Sequence, residues 1–216
     1  MRWGMVIEQK RCIGCNACTM ACKAEHFLPP EILWNRVLIS ETGKYPTVNK
    51  LIYSIRCNQC DEPKCVDACP TGATRKREQD NIVIIDDNEC VGCRYCMLAC
   101  PYQARSFYED GDAEYFPGQG LTEHEKMGKV LYPHQVGVVQ KCIFCKERID
   151  DGLAKGLKPG VDRDATPACV IACPTMAMHF GNLEDPYSDI NRLIKEKKGK
   201  PFHPEYGTEP SIYYIE

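Results

Sequence analysis

Three features of the 216-residue sequence predict an α+β protein made of two similar small units with inserted loops and short strands. Sixteen cysteines fall into four groups of four, with none left over. Short β-prone stretches, not long apolar runs, separate the groups. The aliphatic core is modest, because the 44% hydrophobic content includes those cysteines.

The groups read Cys12-x2-Cys15-x2-Cys18-x3-Cys22, Cys57-x2-Cys60-x4-Cys65-x3-Cys69, Cys90-x2-Cys93-x2-Cys96-x3-Cys100, and Cys142-x2-Cys145 with Cys169-x3-Cys173. Pro70, Pro101 and Pro174 follow the last cysteine of three groups, and Lys23 stands there in the first. This is the bacterial ferredoxin run, in which the fourth thiolate ligates a second cluster. Four runs imply four 4Fe–4S clusters held by two bacterial-type ferredoxin units. Three thiolates of one tight loop hold three corners of a cubane, and a short helix carries the fourth sulfur away. Gly14 and Gly92 lie between ligands, where positive φ is expected. Ala17, Ala21, Ala68, Ala99, Ala168 and Ala172 keep the flanks small.

Two other uses of cysteine fit less well. Disulfides suit an even count, but neighbours two residues apart make awkward bridges. Zinc sites with four thiolate ligands show two pairs with a long spacer, not three close thiols plus C-x3-C-P. With clusters bound, sixteen thiolates and four 2+ cores carry the formal charge from −3 to about −11. Arg11, Arg56, Lys64, Arg94 and Lys141 adjoin ligands and are candidate counter-charges, or plain surface cations. The apo chain is expected to fold poorly.

In chain order, the first insertion, Lys23 to Arg56, carries candidate strands Trp34–Ser40 and Lys50–Ile55 around a turn at Glu41-Thr42-Gly43-Lys44. Between Cys69 and Cys90, a helix near Cys65 is followed by strand Ala73–Lys76, a turn at Gln79-Asp80-Asn81, and strand Ile82–Asp86. The second insertion, Pro101 to Lys141, is rich in Gly, Pro, Tyr and acids. Its Glu109-Asp110-Gly111-Asp112 reads as a solvated loop. The third, Lys146 to Ala168, splits the last group. A strand at Ala177–Phe180 leads to a helix with Asp185 as N-cap, Pro186 at N1, and Ile190, Leu193 and Ile194 as its apolar face. Lys195–Lys200 reads as a helix C-terminus, where cations are favoured, so no nucleic-acid partner is expected. The tail through Ile212-Tyr213-Tyr214-Ile215 is too apolar to hang free.

The linker between the second and third groups has the length of a ferredoxin half-linker, so these two should pair. Residues 57–107 then form an inner unit and 1–56 with 142–182 an outer one. Residues 108–141 form an interaction insert, and 183–216 a C-terminal helix and docking tail. With swapped fourth ligands, cluster 1 takes Cys12, Cys15, Cys18 and Cys173. Cluster 2 takes Cys22, Cys142, Cys145 and Cys169, and cluster 3 takes Cys57, Cys60, Cys65 and Cys100. Cluster 4 takes Cys69, Cys90, Cys93 and Cys96. Sequential pairing of groups one with two and three with four is the alternative. No apolar run reaches the ~20 residues that span a bilayer. The N-terminus has neither a signal pattern nor twin arginines, so membrane attachment or export is expected only through a partner. His26, His124, His134, His179 and His203 show no haem or Rieske spacing. No Rossmann fingerprint, P-loop or nucleophile elbow is present, so no catalytic residue is assigned.

Nearly the whole chain resembles the iron–sulfur subunits of molybdenum or tungsten bis-pterin oxidoreductases of the DMSO reductase superfamily. The likeness runs through Met5-Val6-Ile7, Cys12-Ile13-Gly14-Cys15, Cys57-Asn58-Gln59-Cys60 and Cys65-Val66-Asp67-Ala68-Cys69-Pro70-Thr71-Gly72-Ala73. It continues through Cys90-Val91-Gly92-Cys93-Arg94-Tyr95-Cys96, Lys141-Cys142-Ile143-Phe144-Cys145, Pro167-Ala168-Cys169-Val170 and Cys173-Pro174-Thr175. Members serve dimethyl sulfoxide, polysulfide, thiosulfate, tetrathionate and arsenate reductases. The resemblance implies a non-catalytic electron-transfer subunit docked on a large subunit that carries the pterin cofactor. In many members it also docks on a quinone-reactive membrane anchor. It implies the same ligand sets, with cluster 1 nearest the catalytic subunit and cluster 4 farthest. Cys93 stands where nitrate-reductase relatives, with their 3Fe–4S centre, carry tryptophan, so four 4Fe–4S clusters are implied. Lys23 for proline and Met176 in the place of Gly72 depart from the pattern without removing a ligand. The competing functions are a free-standing polyferredoxin, a hydroxytransferase small subunit, whose middle groups lose ligands that this chain keeps, and a structural zinc protein.

Overall fold

The computed structural model describes all 216 residues. The chain enters as β1 (Trp3–Glu8), buried throughout, and passes the first cysteine loop into α1 (Ala17–Glu25). β2 (Asn35–Lys44) and β3 (Thr47–Arg56) form a hairpin leading to the second loop and α2 (Lys64–Asp67). β4 (Thr74–Lys76) and β5 (Val83–Ile85) join it to the third loop and α3 (Tyr95–Leu98). β6 (Ser106–Phe107) opens an insertion holding α4 (Glu123–Leu131), which β7 (Val139–Gln140) closes. After the fourth cysteine pair come α5 (Lys146–Ala154), α6 (Ala168–Ile171) and β8 (Met178–Asn182). α7 (Asp189–Glu196), β9 (Lys200–Pro201) and β10 (Ile212–Ile215) complete the chain. The α+β class expected from the sequence is what folds.

Each connection between successive cysteine groups is an antiparallel ribbon: β2–β3, β4–β5 and β6–β7. The two ends of the cysteine region are joined likewise. β1 pairs antiparallel with β8, Trp3 opposite Asn182 and Ile7 opposite Met178, so the chain closes on itself. β10 lies parallel to β1 on its other side, giving a sheet ordered β8-β1-β10-β9. β1 is therefore a central strand covered on both faces, which its near-continuous apolar run allows. Met5 and Ile7 join the main core, while Val6 packs with Ile190 of α7 and Ile215 of β10. The apolar tail is thus an inner part of this chain's own sheet. Fully burying Ile212 and Ile215 contributes about 1.5–3 kcal/mol each. No helix is long and apolar enough to cross a membrane.

Several local expectations shift. The β2–β3 ladder continues through residues 41–44, with Glu41 opposite Lys50, so the turn falls at Tyr45-Pro46. Opposite charges facing across the ribbon favour that register, and the expected turn residues are strand. The helix start moves from Asp185 to Ser188, whose Oγ accepts the Asn191 N–H at 3.4 Å. Asp185 instead accepts the Tyr187 N–H at 2.9 Å, closing a side-chain turn that precludes helix there. The second insertion holds α4, started by a capping box. The Thr122 Oγ1 accepts the Glu125 N–H at 3.2 Å, and the Glu125 carboxylate accepts the Thr122 N–H at 2.7 Å.

Glu8 ties the closure together. Its buried carboxylate accepts from His179 of β8 (2.8 Å), Lys197 after α7 (2.5 Å) and Arg11 beside the first cysteine loop (3.1 Å). Burial opposes its ionisation, but Lys197, His179 and Arg11 outweigh that and hold its pKa at about 2 against an ordinary 4.5. A folded-state pKa below the unfolded one stabilises fully above pH 4.5, and the gain is lost as pH falls towards 2. Glu8→Gln is expected to cost about 1–3 kcal/mol at pH 7 in anaerobic urea unfolding of the iron-loaded protein. An unchanged midpoint would show that the sheet closes without this carboxylate.

Candidate metal centre

The cysteine loops repeat one backbone design. Gly14 and Gly92 have φ of 72° and 67°, as expected, and Asn16 and Arg94 follow with φ of 60° and 63° as the N-caps of α1 and α3. A side chain at Gly92 would run into the Gly137 carbonyl, so this position is glycine on two counts. In the second and fourth groups the matching left-handed residues are Gln59 (47°) and Phe144 (54°). Three residues beyond the last cysteine, Gly72, Gln103 and Met176 also have positive φ. Met176 thus keeps the conformation of Gly72, with φ of 50° against 74°.

The prolines set helix length. α2, α3 and α6 have four residues each, because a residue before proline is driven out of the helical region. Where Lys23 replaces proline, α1 runs nine residues, past Cys22. The buried Lys23 ammonium donates to the carbonyls of Pro29 (2.8 Å), Pro30 (3.1 Å) and Ile32 (3.0 Å). It therefore fastens the next loop as well as ending the motif differently.

All sixteen thiols are free. Burial, then the sulfurs of Cys18, Cys173 and Cys15, push the Cys12 thiol up, so residues from both ends of the cysteine region meet there. Burial and the neighbouring Cys142 and Cys169 drive Cys22 well up, and Cys145 lies with Cys169, Cys22 and Cys142. One cavity is lined by all four of Cys57, Cys60, Cys65 and Cys100. Burial there raises Cys60 to about 12, with Cys57, Cys65 and Cys100 adding to it. The Tyr102 and Thr208 hydroxyls close this cavity, 2.6 Å apart. Cys96 lies near Cys65 and Cys90, and α3 packs on α2. Cys69 and Cys90 both stand at the open end of the β4–β5 ribbon, before Thr74 and after its partner Ile85, and Cys93 is exposed at the start of α3.

Backbone and hydroxyl donors attend the sulfurs after the helices. Cys69 Sγ accepts the Thr74 N–H at 3.4 Å and Cys173 Sγ the Ala177 N–H at 3.3 Å. Burial opposes it, but the Thr74 amide and the Thr71 hydroxyl bring Cys69 down to about 7. The deep thiols behave oppositely: Cys142 rises to about 12 and Cys145 well above its usual range, chiefly through burial. Such thiols ionise when a metal takes the place of the proton. The set fits iron–sulfur cubanes: grouped thiols, left-handed loops between them, and buried N–H groups without protein partners at Arg56, Asn58 and Arg105.

The five candidate counter-charges divide. Arg56 and Lys141 are buried, 2% and 1% exposed. Lys141 Nζ donates to the carbonyls of Val83 and Cys142, and Gln59 Nε2 joins at the latter (2.7 Å), linking the second and fourth groups. Arg11 pairs with Glu8, Arg94 pairs with Glu109 over the Phe107 ring, and Lys64 is exposed. Two residues near the sulfurs do not stand out in the sequence. Arg105 lines the cavity of the second group. The His26 Nε2 lies 3.2 Å from Cys145 Sγ, and burial lowers this imidazole to about 4. Arg105 has a readable signal: in the repeat Cys-Pro-x-x-Ala-x it takes the last place, held elsewhere by Thr74 and Met178. His26 has none.

Comparison with known proteins agrees with this geometry. The 4Fe-4S dicluster domain matches residues 48–115 and, in a second form, residues 82–174, and the 4Fe-4S binding domain matches residues 3–24. The chain is 40% identical to the iron-sulfur subunit assigned to dimethyl sulfoxide reductase in Halobacterium salinarum, over 99% of this chain and 78% of that one. It is 36% identical to a subunit of the selenate reductase of Mesobacillus selenatarsenatis, over 100% and 72%. To the arsenate respiratory reductase iron-sulfur subunit of Shewanella sp. it is 34% identical, over 100% and 96%.

Lys23→Met would leave the buried Ile32 carbonyl and the half-buried Pro29 and Pro30 carbonyls without this donor and is expected to cost about 2–4 kcal/mol. Anaerobic thermal unfolding checks this, and an unshifted midpoint would mean that other donors serve the loop.

Proposed function

The chain belongs to the family of iron–sulfur electron-transfer subunits of the DMSO reductase superfamily of molybdenum and tungsten oxidoreductases, and from that premise we propose how it is loaded and what it joins. Cluster 1 is held by Cys12, Cys15, Cys18 and Cys173, and cluster 2 by Cys22, Cys142, Cys145 and Cys169. Cluster 3 is held by Cys57, Cys60, Cys65 and Cys100, and cluster 4 by Cys69, Cys90, Cys93 and Cys96. The observation that carries this reading is the shared cavity of Cys57, Cys60 and Cys65 with Cys100, a residue of the next group. Such crossing of the fourth ligand is the ferredoxin rule. When bound, each cluster takes up and gives up single electrons. The protein's own part is to hold the thiols, keep water from the deep ones, and direct amides and cations at them.

The chain works between partners: a catalytic subunit that holds a molybdenum or tungsten bis-pterin, and a quinone-side membrane anchor or other redox protein. Exposure supports two docking ends. Cys15 and Cys93 are the exposed ligands. Beside the first stand Ile13 and Met20, 62% and 60% exposed, and beside the second Val91 and Leu98, 67% and 84% exposed. Apolar side chains around both outermost thiols favour standing partners at two ends over a freely diffusing carrier. The end with Cys15 faces the catalytic subunit.

Cys100→Ser is expected to perturb the EPR signal of the cluster held by Cys57, Cys60 and Cys65 while sparing that of the Cys90 group. Loss of the Cys90-group signal instead would mean that the fourth ligands are not crossed. Cys18→Ser in the assembled complex is expected to lower turnover with the physiological electron partner at least tenfold. A dye that exchanges electrons directly with the catalytic subunit should restore the rate. Full turnover without dye, in protein shown by iron analysis to have lost cluster 1, would contradict the assigned end.

A further inference from the structure

Two buried arginines lie beside the cluster sulfurs, one in each unit. Arg56 is 2% exposed, and its Nη1 donates to Cys169 Sγ at 3.0 Å, a ligand of cluster 2. Its Nη2 donates to the Ser54 hydroxyl, which lies 3.5 Å from Cys18 Sγ, a ligand of cluster 1. Arg105 is 7% exposed and lines the cavity of Cys57, Cys60, Cys65 and Cys100, the ligands of cluster 3. Its Nη1 lies 3.4 Å from the Thr74 hydroxyl, and the Thr74 N–H donates to Cys69 Sγ, a ligand of cluster 4. Each guanidinium thus reaches both ligand sets of its own pair.

Neither has a carboxylate partner. Arg56 meets Met5 Sδ, Cys169 Sγ, the Ser54 hydroxyl and Met178 Sδ, and Arg105 meets the Thr74 hydroxyl and the thiols of Cys65 and Cys96. Arg56 Nε and Arg105 Nη2 are buried with no protein partner at all. An arginine so buried without an anion is strongly unfavourable, whereas beside a compensating negative charge it is tolerated. The anion that belongs beside each is the thiolate-ligated cluster. We propose that Arg56 and Arg105 are the fixed counter-charges of the outer and inner cluster pairs, each favouring the reduced form of both clusters in its pair. This rests on the ligand sets proposed for the four clusters. A cation that faces both members raises both potentials without trapping the electron on one, and the pair's total charge is unchanged when one electron passes between them. Both arginines are positioning residues; neither gains nor loses a proton or an electron.

The test is EPR-monitored redox titration, with iron content, of the anaerobically prepared complex. Arg56→Gln is expected to lower the potentials of clusters 1 and 2, each by at least a tenfold change in the reduction equilibrium, about 59 mV for a one-electron couple. Clusters 3 and 4 stay in place, and Arg105→Gln does the reverse. Unmoved potentials at full iron content, or a shift confined to one member of a pair, would overturn the proposal. If a Gln variant loses iron, Arg56→Lys and Arg105→Lys carry the test. Charge is retained, so iron stays full and the reduction equilibria hold within threefold. A tenfold drop in the fully loaded Lys variants would assign the effect to hydrogen bonding and likewise overturn the proposal. Failure of the ligand sets is read separately, from which signal Cys100→Ser removes.

Discussion

Cys173 must stand among Cys12, Cys15 and Cys18 although most of the cysteine region separates them, and the rest of the fold follows from that meeting. The pairing of β1 with β8 brings the two segments together. β10 and α7 then cover β1, and Glu8 fastens α7 and β8 to the entrance of the first loop. Within this closed ring the second and third groups need only the short β4–β5 ribbon between them. Insertions are tolerated where a ribbon seals their base, as β6–β7 does for the segment that contains α4.

The interior is unusual chemistry for a core. Five of the twenty residues in the main buried cluster are cysteines, and Arg56, Lys141 and Arg105 are buried with them. Apolar burial alone does not justify such a composition, since each desolvated charge costs several kcal/mol. Thiolate clusters supply the opposing charge, which ties folding to metal loading and explains why so small an aliphatic core suffices. The same charges serve function, because a cluster's potential responds to nearby hydrogen bonds and cations.

Much of this was legible in the chain because covalent spacing dictates it. The cysteine runs and the positive φ at Gly14 and Gly92 follow from the tight spacing, the short strands from their β-prone pattern, and the closure of first group on last from the short linker that pairs the middle groups. Helix starts and turns were less legible because they turn on single hydrogen bonds. Asp185 and Ser188 are both acceptable caps, and only the Asp185–Tyr187 turn selects the second. The T-x-x-E signature of α4 was present at Thr122 and was masked by a loop-like composition. Lys23 read as a missing proline, yet it is a buried donor to three carbonyls. Side chains that reach sulfurs of a distant group, such as His26 on Cys145, carry no local pattern.

We propose that all sixteen cysteines together hold four cubanes. Iron and acid-labile sulfide analysis with Mössbauer spectroscopy of the anaerobically isolated protein tests it most directly. About sixteen iron and sixteen sulfide per chain are expected, all with the parameters of 4Fe–4S cubanes. An iron content near four, with zinc in the remaining thiolate sites, would contradict it.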